Sequence, residues 1–123
     1  MASAFKRRNL PHLLLRARET FMARFRPILR EYGITEQQWR WLRTLNDTGD
    51  MEPNQLADAC LILSPSLTRM LAAMEQSEMI VRTKSSVDQR RQVISLTAKS
   101  RQFLADVEPQ VDAQYARIEA QLG

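Results

Sequence analysis

The fold of this chain is decided by residues 64–96, which read SPSLTRMLAAMEQSEMIVRTKSSVDQRRQVISL. Small hydroxyl residues and one arginine open this stretch, and an apolar run at helical spacing continues to Met74, which predicts a helix. Residues 79–84 and 93–96 predict two short strands. The polar tip between them, Ser85 to Arg91, is too long for a tight two-residue hairpin. Helix, strand, basic tip and strand form the outline of a helix-turn-helix followed by a β-wing.

The residues before this stretch predict the other half of the helix-turn-helix. Pro53 suits the first turn of a short helix, where its missing N–H is not needed. Three residues of that helix are predicted to face the core: Leu56, Ala57 and Cys60. Ser64 is then the expected N-cap of the next helix, with Pro65 at its first position. The spacing is that of a DNA-reading helix-turn-helix, although plain helical hairpins share it.

The chemistry at the start of the second helix favours DNA recognition. A recognition helix enters the major groove with its N-terminal end, where short polar side chains and arginine contact phosphates and base edges. The candidate residues lie in this first part of the helix: Ser64, Pro65, Ser66, Thr68 and Arg69. The opposite face is expected to be core and holds Leu67, Met70, Leu71 and Met74. The alternative is that Ser64 is only a cap and Arg69 only a surface charge.

The charge distribution supports the same interpretation. The chain carries a net charge of +4, with a pI near 9.8, which favours a polyanionic partner. Six basic residues lie between Arg82 and Arg101, against the single Asp88. Within the wing, Arg90 and Arg91 suit the negative potential of a narrow minor groove. Asp88 is expected to pair with Arg90 or to cap the loop. An ordinary solvated basic face would have the same composition.

Two long amphipathic segments flank this region. A first helix is expected from Leu10 to Gly33, with one apolar face along Leu10, Leu14, Ala17, Phe21, Phe25 and Ile28. A last helix is expected after a Thr97 cap, with a stripe along Leu104, Val107, Val111, Tyr115, Ile118 and Leu122. Pro27 should bend or interrupt the first helix, and Pro109 should kink the last. The stripes predict a dimer interface, with packing onto the chain's own core as the alternative.

One further helix is expected between the first helix and Pro53. Thr35 followed by Gln38 has the spacing of a capping box. This helix should carry Trp39, Leu42 and Leu45 inward and end near residues 46–49.

Composition narrows the class of protein. The 123 residues suit one mainly helical domain. We expect a cytoplasmic protein, because no apolar run is long enough to span a bilayer and no signal peptide is recognisable. The single cysteine suits a reducing compartment and is expected to be a core residue. We expect no enzyme, metal or cofactor, because the chain has one histidine and no metal-binding or catalytic spacing. A winged-helix protein-interaction module without DNA binding is the alternative function.

These motifs resemble those of the MarR family of winged helix-turn-helix regulators. The resemblance rests on Leu67-Thr68-Arg69, Asp88-Gln89-Arg90-Arg91 and Leu96-Thr97. Three further runs resemble the members that regulate homoprotocatechuate (hydroxyphenylacetate) degradation operons. They are Ala17-Arg18-Glu19, Phe25-Arg26-Pro27-Ile28 and Thr35-Glu36-Gln37-Gln38-Trp39-Arg40.

The resemblance implies the following organisation. A flexible basic N-terminus, residues 1–9, precedes a single winged helix-turn-helix domain, residues 10–123. Within that domain, 10–33 and 97–123 are dimerisation helices and 35–96 is the DNA-binding lobe. The recognition helix is 64–77 and the wing is 80–96.

The resemblance also implies a function and its partners. It implies a homodimeric repressor that binds a pseudo-palindromic operator in double-stranded DNA. A small phenolic or aromatic carboxylate would release it. The implied DNA contacts are those named above, with Asp88 supporting the wing. The implied effector crevice is lined by His12, Arg16, Arg18, Met22 and Trp39, where an arginine would hold the carboxylate and the tryptophan would stack on the ring.

The sequence departs from the family pattern in two places that bear on the fold. Glu78 stands where the family commonly has glycine in the turn after the recognition helix. If that turn needs a positive φ, glutamate costs on the order of 1 kcal/mol. The family also normally completes its dimer interface with a further helix beyond the position of Gly123.

Overall fold

The computed structural model describes residues 9–122, which form five helices and one two-stranded sheet. The elements follow the chain as α1 (Leu10–Glu31), α2 (Glu36–Thr48), α3 (Pro53–Cys60), α4 (Ser64–Gln76), β1 (Ile80–Lys84), β2 (Gln92–Leu96) and α5 (Ala98–Leu122). The predicted flexible N-terminus, residues 1–9, lies outside the described residues except for Asn9. The Asn9 side chain accepts a hydrogen bond from the His12 backbone N–H at 3.4 Å and caps α1.

Local sequence signals account for the ends of α1 and α2. Gly33 follows α1 with φ +68°, a conformation that glycine adopts without strain. Thr35 and Gln38 form the predicted capping box, since each side chain accepts the other's backbone N–H, at 3.1 and 3.0 Å. Pro27 was predicted to bend or interrupt the first helix, and the interruption does not occur: α1 continues through Pro27, as α5 continues through Pro109. Burial of neighbouring apolar side chains offsets the backbone hydrogen bond that each proline removes.

The helix-turn-helix is present, with one correction to its register. Helix α4 begins at Ser64, so Leu63 rather than Ser64 is the N-cap and Pro65 lies one position further into the first turn. The first turn of a helix leaves its N–H groups without intrahelical partners, so proline is tolerated at either position. The Leu63 carbonyl accepts from the backbone N–H groups of Ser66, at 3.0 Å, and Leu67, at 3.2 Å.

The two strands form the predicted antiparallel wing. Ile80 pairs with Leu96 at its base and Lys84 with Gln92 at its tip end. Met51, in the loop between α2 and α3, forms an isolated bridge to Ile94 through two backbone hydrogen bonds of 3.2 and 2.7 Å. The bridge attaches the wing to the start of the helix-turn-helix.

A single core joins all these elements. Leu42, Leu45, Leu56 and Cys60 are buried as predicted. Trp39, predicted to point inward, is only half-buried, and the fully buried tryptophan is Trp41. The apolar face of α2 is wider than the predicted stripe, because α2 packs against both the helix-turn-helix and the two long helices.

The first half of α1 carries its apolar stripe into solvent. Leu10 and Leu14 are 59% and 69% exposed, whereas Phe25 and Ile28, at the other end of the same stripe, are buried. Exposed apolar stripes of this kind mark interaction surfaces. No single helix of the described residues is long and apolar enough to cross a membrane, and only α3 and α4 taken together, bent by 108°, reach that length and composition.

The turn after α4 has a positive φ, which is the condition under which strain at Glu78 was expected. Glu78 has φ +62° and an exposed side chain. Its carbonyl accepts a hydrogen bond from the Thr97 hydroxyl at 2.7 Å. Thr97 also caps α5 as predicted, accepting from the Ser100 N–H at 3.1 Å, while Ser100 Oγ accepts from the Thr97 N–H at 2.9 Å. Thr97 therefore fixes α5 to the strained turn.

Replacing Glu78 with glycine should stabilise the protein by about 1 kcal/mol, because glycine adopts this conformation without a Cβ clash. Urea denaturation at constant protein concentration measures the change. Glu78→Ala is the matched control, since alanine removes the charge but keeps the strained Cβ. Equal stabilisation by alanine and glycine would show that charge, not backbone strain, is the cause.

Candidate DNA interface and ligand cavity

The exposed face of α4 brings together most of the predicted recognition residues. Pro65, Ser66, Thr68 and Arg69 are all exposed, whereas Leu67 and Leu71 are buried in the core. Ser64 lies at the first helical position. The first turn contains no acidic residue. The positive end of the helix dipole makes such an end favourable for phosphate.

The wing tip is shaped by Asp88, as predicted. Asp88 Oδ1 accepts from the Arg90 backbone N–H at 3.0 Å, and Ser85 Oγ accepts from the Val87 backbone N–H at 3.2 Å. The Arg90 guanidinium approaches Asp88 only at 3.5 Å and its side chain is 93% exposed. The loop is therefore held by bonds from its backbone N–H groups to the Asp88 and Ser85 side chains, and the Arg90 side chain extends into solvent.

Other basic residues of this region are engaged within the protein. Arg91 lies 3.7 Å from Glu52 at the start of α3 and 3.9 Å from Asp88. Arg82 pairs with Glu75 on α4. Lys99 Nζ donates to the Ser77 carbonyl at 2.8 Å, at the end of α4. Their charges thus connect the wing, α3, α4 and α5, which counting basic residues in the sequence does not reveal.

A cavity of about 330 Å³ lies where α1, α2 and α5 meet. It is lined by Arg18, Met22, Glu36, Trp39, Arg40, Arg43, Thr44, Asp47 and Tyr115. Three of the five predicted effector residues, Arg18, Met22 and Trp39, are among them. His12 and Arg16 do not line it and lie on the exposed first half of α1.

Within the cavity the arginine with the greatest capacity for a ligand is Arg43. Its guanidinium lies 5.5 Å from the Trp39 ring centroid and 3.8 Å from the Asp47 carboxylate. Its buried Nε has no hydrogen-bond partner among the described residues. Arg18 instead donates to Glu36 at 3.1 Å and approaches Glu19 at 3.5 Å.

Sequence reasoning missed six of the nine lining residues: Arg43, Glu36, Tyr115, Arg40, Thr44 and Asp47. The signal for Arg43 was its spacing of four from Trp39, which places both on one face of α2. Tyr115 was assigned to the apolar stripe of α5. The structure places it in contact with Phe25, with ring centroids 5.2 Å apart, and leaves it 45% exposed.

Glu36 belongs to a network of charged residues between α1 and α2. Arg26 donates to Glu36 through Nε and to Glu19 at 2.8 Å, and Arg18 donates to the other Glu36 oxygen. The hydrogen bond from Arg26, with a smaller one from Arg18, holds the pKa of Glu36 below its ordinary value. The Glu36 and Glu19 carboxylates raise the pKa of Arg26. The cavity therefore has an ionised carboxylate, that of Glu36, at the first residue of α2, whereas Arg43 lies in the second half of the same helix.

The lowered pKa of Glu36 predicts a contribution to stability at neutral pH. The folded protein binds the Glu36 proton more weakly than the unfolded chain, so the contribution is present above the ordinary pKa and is lost as pH falls through the folded value. Glu36→Gln should be less stable than wild type at pH 7, and the difference should shrink in acid. Urea denaturation between pH 7 and pH 3 measures it. A gap independent of pH would show that the ion pairs are not its source.

Comparison with known proteins defines the class. The fold and the exposed reading face are those of a winged-helix DNA-binding protein. A model of the MarR family matches residues 34–91. The chain is 42% identical to the HTH-type transcriptional regulator FarR of Neisseria gonorrhoeae over 89% of its own length and 75% of that protein. The chain belongs to the MarR family.

Two further relatives bear on the ligand. The chain is 42% identical to the homoprotocatechuate degradative operon repressor of Escherichia coli, over 92% of this chain and 76% of that protein. It also resembles the crystal structure of NadR in complex with 4-hydroxyphenylacetate. That match has a TM-score of 0.87 and 41% identity, and it covers 96% of this chain and 84% of that one.

Proposed function

We propose that this protein is a cytoplasmic, homodimeric repressor of an aromatic-acid catabolic operon, of the homoprotocatechuate or hydroxyphenylacetate type. A small phenolic or aromatic carboxylate releases it from a pseudo-palindromic operator. The observation that supports this most is the cavity between the long helices and α2, which combines a buried, unpartnered arginine nitrogen with two aromatic rings. The operon repressor of Escherichia coli and the 4-hydroxyphenylacetate complex of NadR point to the same ligand class.

The cavity suits a hydroxyphenylacetate in both size and chemistry. Arg43 offers its guanidinium to the ligand carboxylate, since a planar fork binds a carboxylate through two parallel hydrogen bonds. Trp39 and Tyr115 supply aromatic surface for the ring. Glu36, held ionised, accepts a hydrogen bond from the phenolic hydroxyl. The ligand supplies a partner for the Arg43 guanidinium, whose Nε has none among the described residues.

The same proposal assigns the DNA contacts. Residues of α4, namely Ser64, Pro65, Ser66, Thr68 and Arg69, enter the major groove, and Arg90 of the wing enters the minor groove. Arg91 contacts the DNA backbone from its position beside Glu52 and Asp88. The long helices α1 and α5 form the dimer, which covers the exposed leucines of α1. The two reading heads, each formed by α4 and the wing of one protomer, then lie about one helical turn of DNA apart, ~34–36 Å.

Helix α2 is the physical connection between ligand and DNA. One face of α2 lines the cavity through Trp39 and Arg43, and its other face packs Trp41 and Leu45 into the core of the DNA-binding lobe. A ligand that prefers one position of α2 therefore favours one spacing of the two reading heads. Release follows only if that spacing does not fit the operator, because a ligand shifts an equilibrium by its differential affinity alone.

Two measurements test the proposal. A thermal-shift screen should show stabilisation by 4-hydroxyphenylacetate or homoprotocatechuate, because a ligand that binds the folded state raises its stability. Selection from a random-sequence duplex pool should yield a DNA site, called here the selected duplex, whose binding weakens with salt. Binding to no DNA at any salt would favour the alternative, a protein-interaction module.

A further inference from the structure

The turn between α3 and α4 exposes two leucines beside the recognition helix. Leu61 is 88% exposed and Leu63 is 79% exposed, while Ile62 between them is partly buried and packs against the core. A leucine that remains in solvent gains none of the free energy of burial. The fold therefore uses Ile62, and the two leucines on either side of it are left for another purpose.

Leu61 is also strained. It has φ +56° and ψ +46°, a left-handed conformation that is unfavourable for a side chain with a Cβ. The turn is closed by backbone bonds, from Leu61 N–H to Asp58 O at 3.3 Å and from Ile62 N–H to Ala57 O at 2.9 Å. Glycine would make the same bonds without strain. An exposed apolar side chain kept at a strained position indicates a function outside the fold.

The position of the two leucines identifies what they contact. Leu63 is the N-cap of α4, and a recognition helix enters the major groove with this end. Its neighbours Pro65, Ser66 and Arg69 are exposed on the same helix. The edges of the base pairs in the major groove present one apolar group, the 5-methyl of thymine. Apolar side chains at this end of α4 are therefore matched to thymine.

We propose that Leu61 and Leu63 contact thymine methyl groups in the major groove and give the protein a preference for thymine at those positions. The proposal rests on the DNA binding proposed above. It adds an apolar contribution to a reading face otherwise composed of hydroxyls and arginine. Salt does not screen such a contact, so it survives where phosphate contacts weaken.

Replacement of thymine by deoxyuridine in the selected duplex tests this directly, since uracil lacks only the methyl group. The wild-type protein should bind the uracil duplex roughly fourfold more weakly for each contacted methyl lost. Leu63→Ser should lower the ratio of the two affinities by the share that Leu63 contributes, and the double variant with Leu61→Gly should bring it close to one. Leu61→Gly should lower the ratio and also raise the melting temperature by roughly 3–5 °C, because the strain is relieved.

Val87→Ser is the matched control. Val87 is 94% exposed at the wing tip, where the minor groove presents no methyl group, so this variant should keep the wild-type ratio. The inference is overturned, with DNA binding intact, if both leucine variants keep the wild-type ratio of affinities for the thymine and uracil duplexes. It is also overturned if the wild-type protein binds the two duplexes equally well. Failure to select any duplex overturns the proposed function instead. An equal drop in the ratio for the Val87 variant would also contradict the assignment.

Discussion

Arg43→Gln is expected to weaken the binding of 4-hydroxyphenylacetate by roughly 10–150-fold, the loss of a charge-assisted hydrogen bond of 1.5–3 kcal/mol. Glutamine keeps much of the side-chain length but cannot pair with a carboxylate through two charged donors. Affinity for DNA without ligand should be unchanged, because Arg43 lies on the cavity face of α2. Isothermal titration calorimetry measures the ligand and fluorescence anisotropy measures the selected duplex.

Arg30→Gln is the matched control for this result. Arg30 is exposed in the last turn of α1 and does not line the cavity, so its loss removes the same charge without affecting the ligand. Arg18→Gln provides a second comparison, because Arg18 lines the cavity but is paired with Glu36. A larger loss of ligand affinity with Arg18→Gln than with Arg43→Gln would place the ligand carboxylate at α1, as the family resemblance implies.

Arg90→Ala is expected to weaken DNA binding by roughly tenfold or more and to reduce its dependence on salt. Each neutralised phosphate contributes about 0.9 to the slope of log K against log salt, so removing one arginine from both wings of a dimer should reduce the slope by about 2. The wing itself should keep its shape, because Asp88 accepts the Arg90 backbone N–H, which alanine also provides. Fluorescence anisotropy titrations at salt concentrations from about 50 to about 300 mM measure both the DNA affinity and the slope.

Arg91→Ala is the comparison that separates the two wing arginines. It removes the same charge from the adjacent residue, but the Arg91 side chain is 66% exposed, against 93% for Arg90, and lies near two carboxylates, those of Glu52 and Asp88. We expect a smaller reduction of the slope, because an arginine that is less exposed and lies near two carboxylates neutralises DNA phosphate less and so releases fewer counterions from the DNA. Equal slopes for the two variants would mean that Arg91 contacts phosphate as directly as Arg90. An unchanged slope for Arg90→Ala would remove the wing from the interface.

The reading head was the part of the fold that local signals specify. Pro53, the hydroxyl-rich start of α4 and the Thr97 cap determine where helices begin, and the polar tip from Ser85 to Arg91 determines where the strands turn. The error at Ser64 was one residue, because proline is accepted at two positions of a first turn. Strain at Glu78 was predicted only on the condition that the turn needs a positive φ, and its φ of +62° meets that condition.

The ligand cavity was less accessible to sequence reasoning because tertiary contacts create it. The family resemblance implied a carboxylate partner on the first helix, Arg16 or Arg18, and did not include Arg43. Only the fold shows that Glu36 engages Arg18 and that Arg43 keeps a buried nitrogen without a partner. The choice of Trp39 for the cavity was an implication of the family resemblance, and the buried role of Trp41 was missed because helical periodicity alone does not show how many neighbours α2 has.

The most direct test of ligand-controlled DNA binding is the affinity of the wild-type protein for the selected duplex with and without saturating 4-hydroxyphenylacetate, at one salt concentration. We predict that the ligand weakens DNA binding at least tenfold, within the range typical of allosteric coupling. By linkage, DNA must weaken ligand binding by the same factor. Equal DNA affinities in the two conditions, with the ligand shown to be bound, would contradict the proposed mechanism.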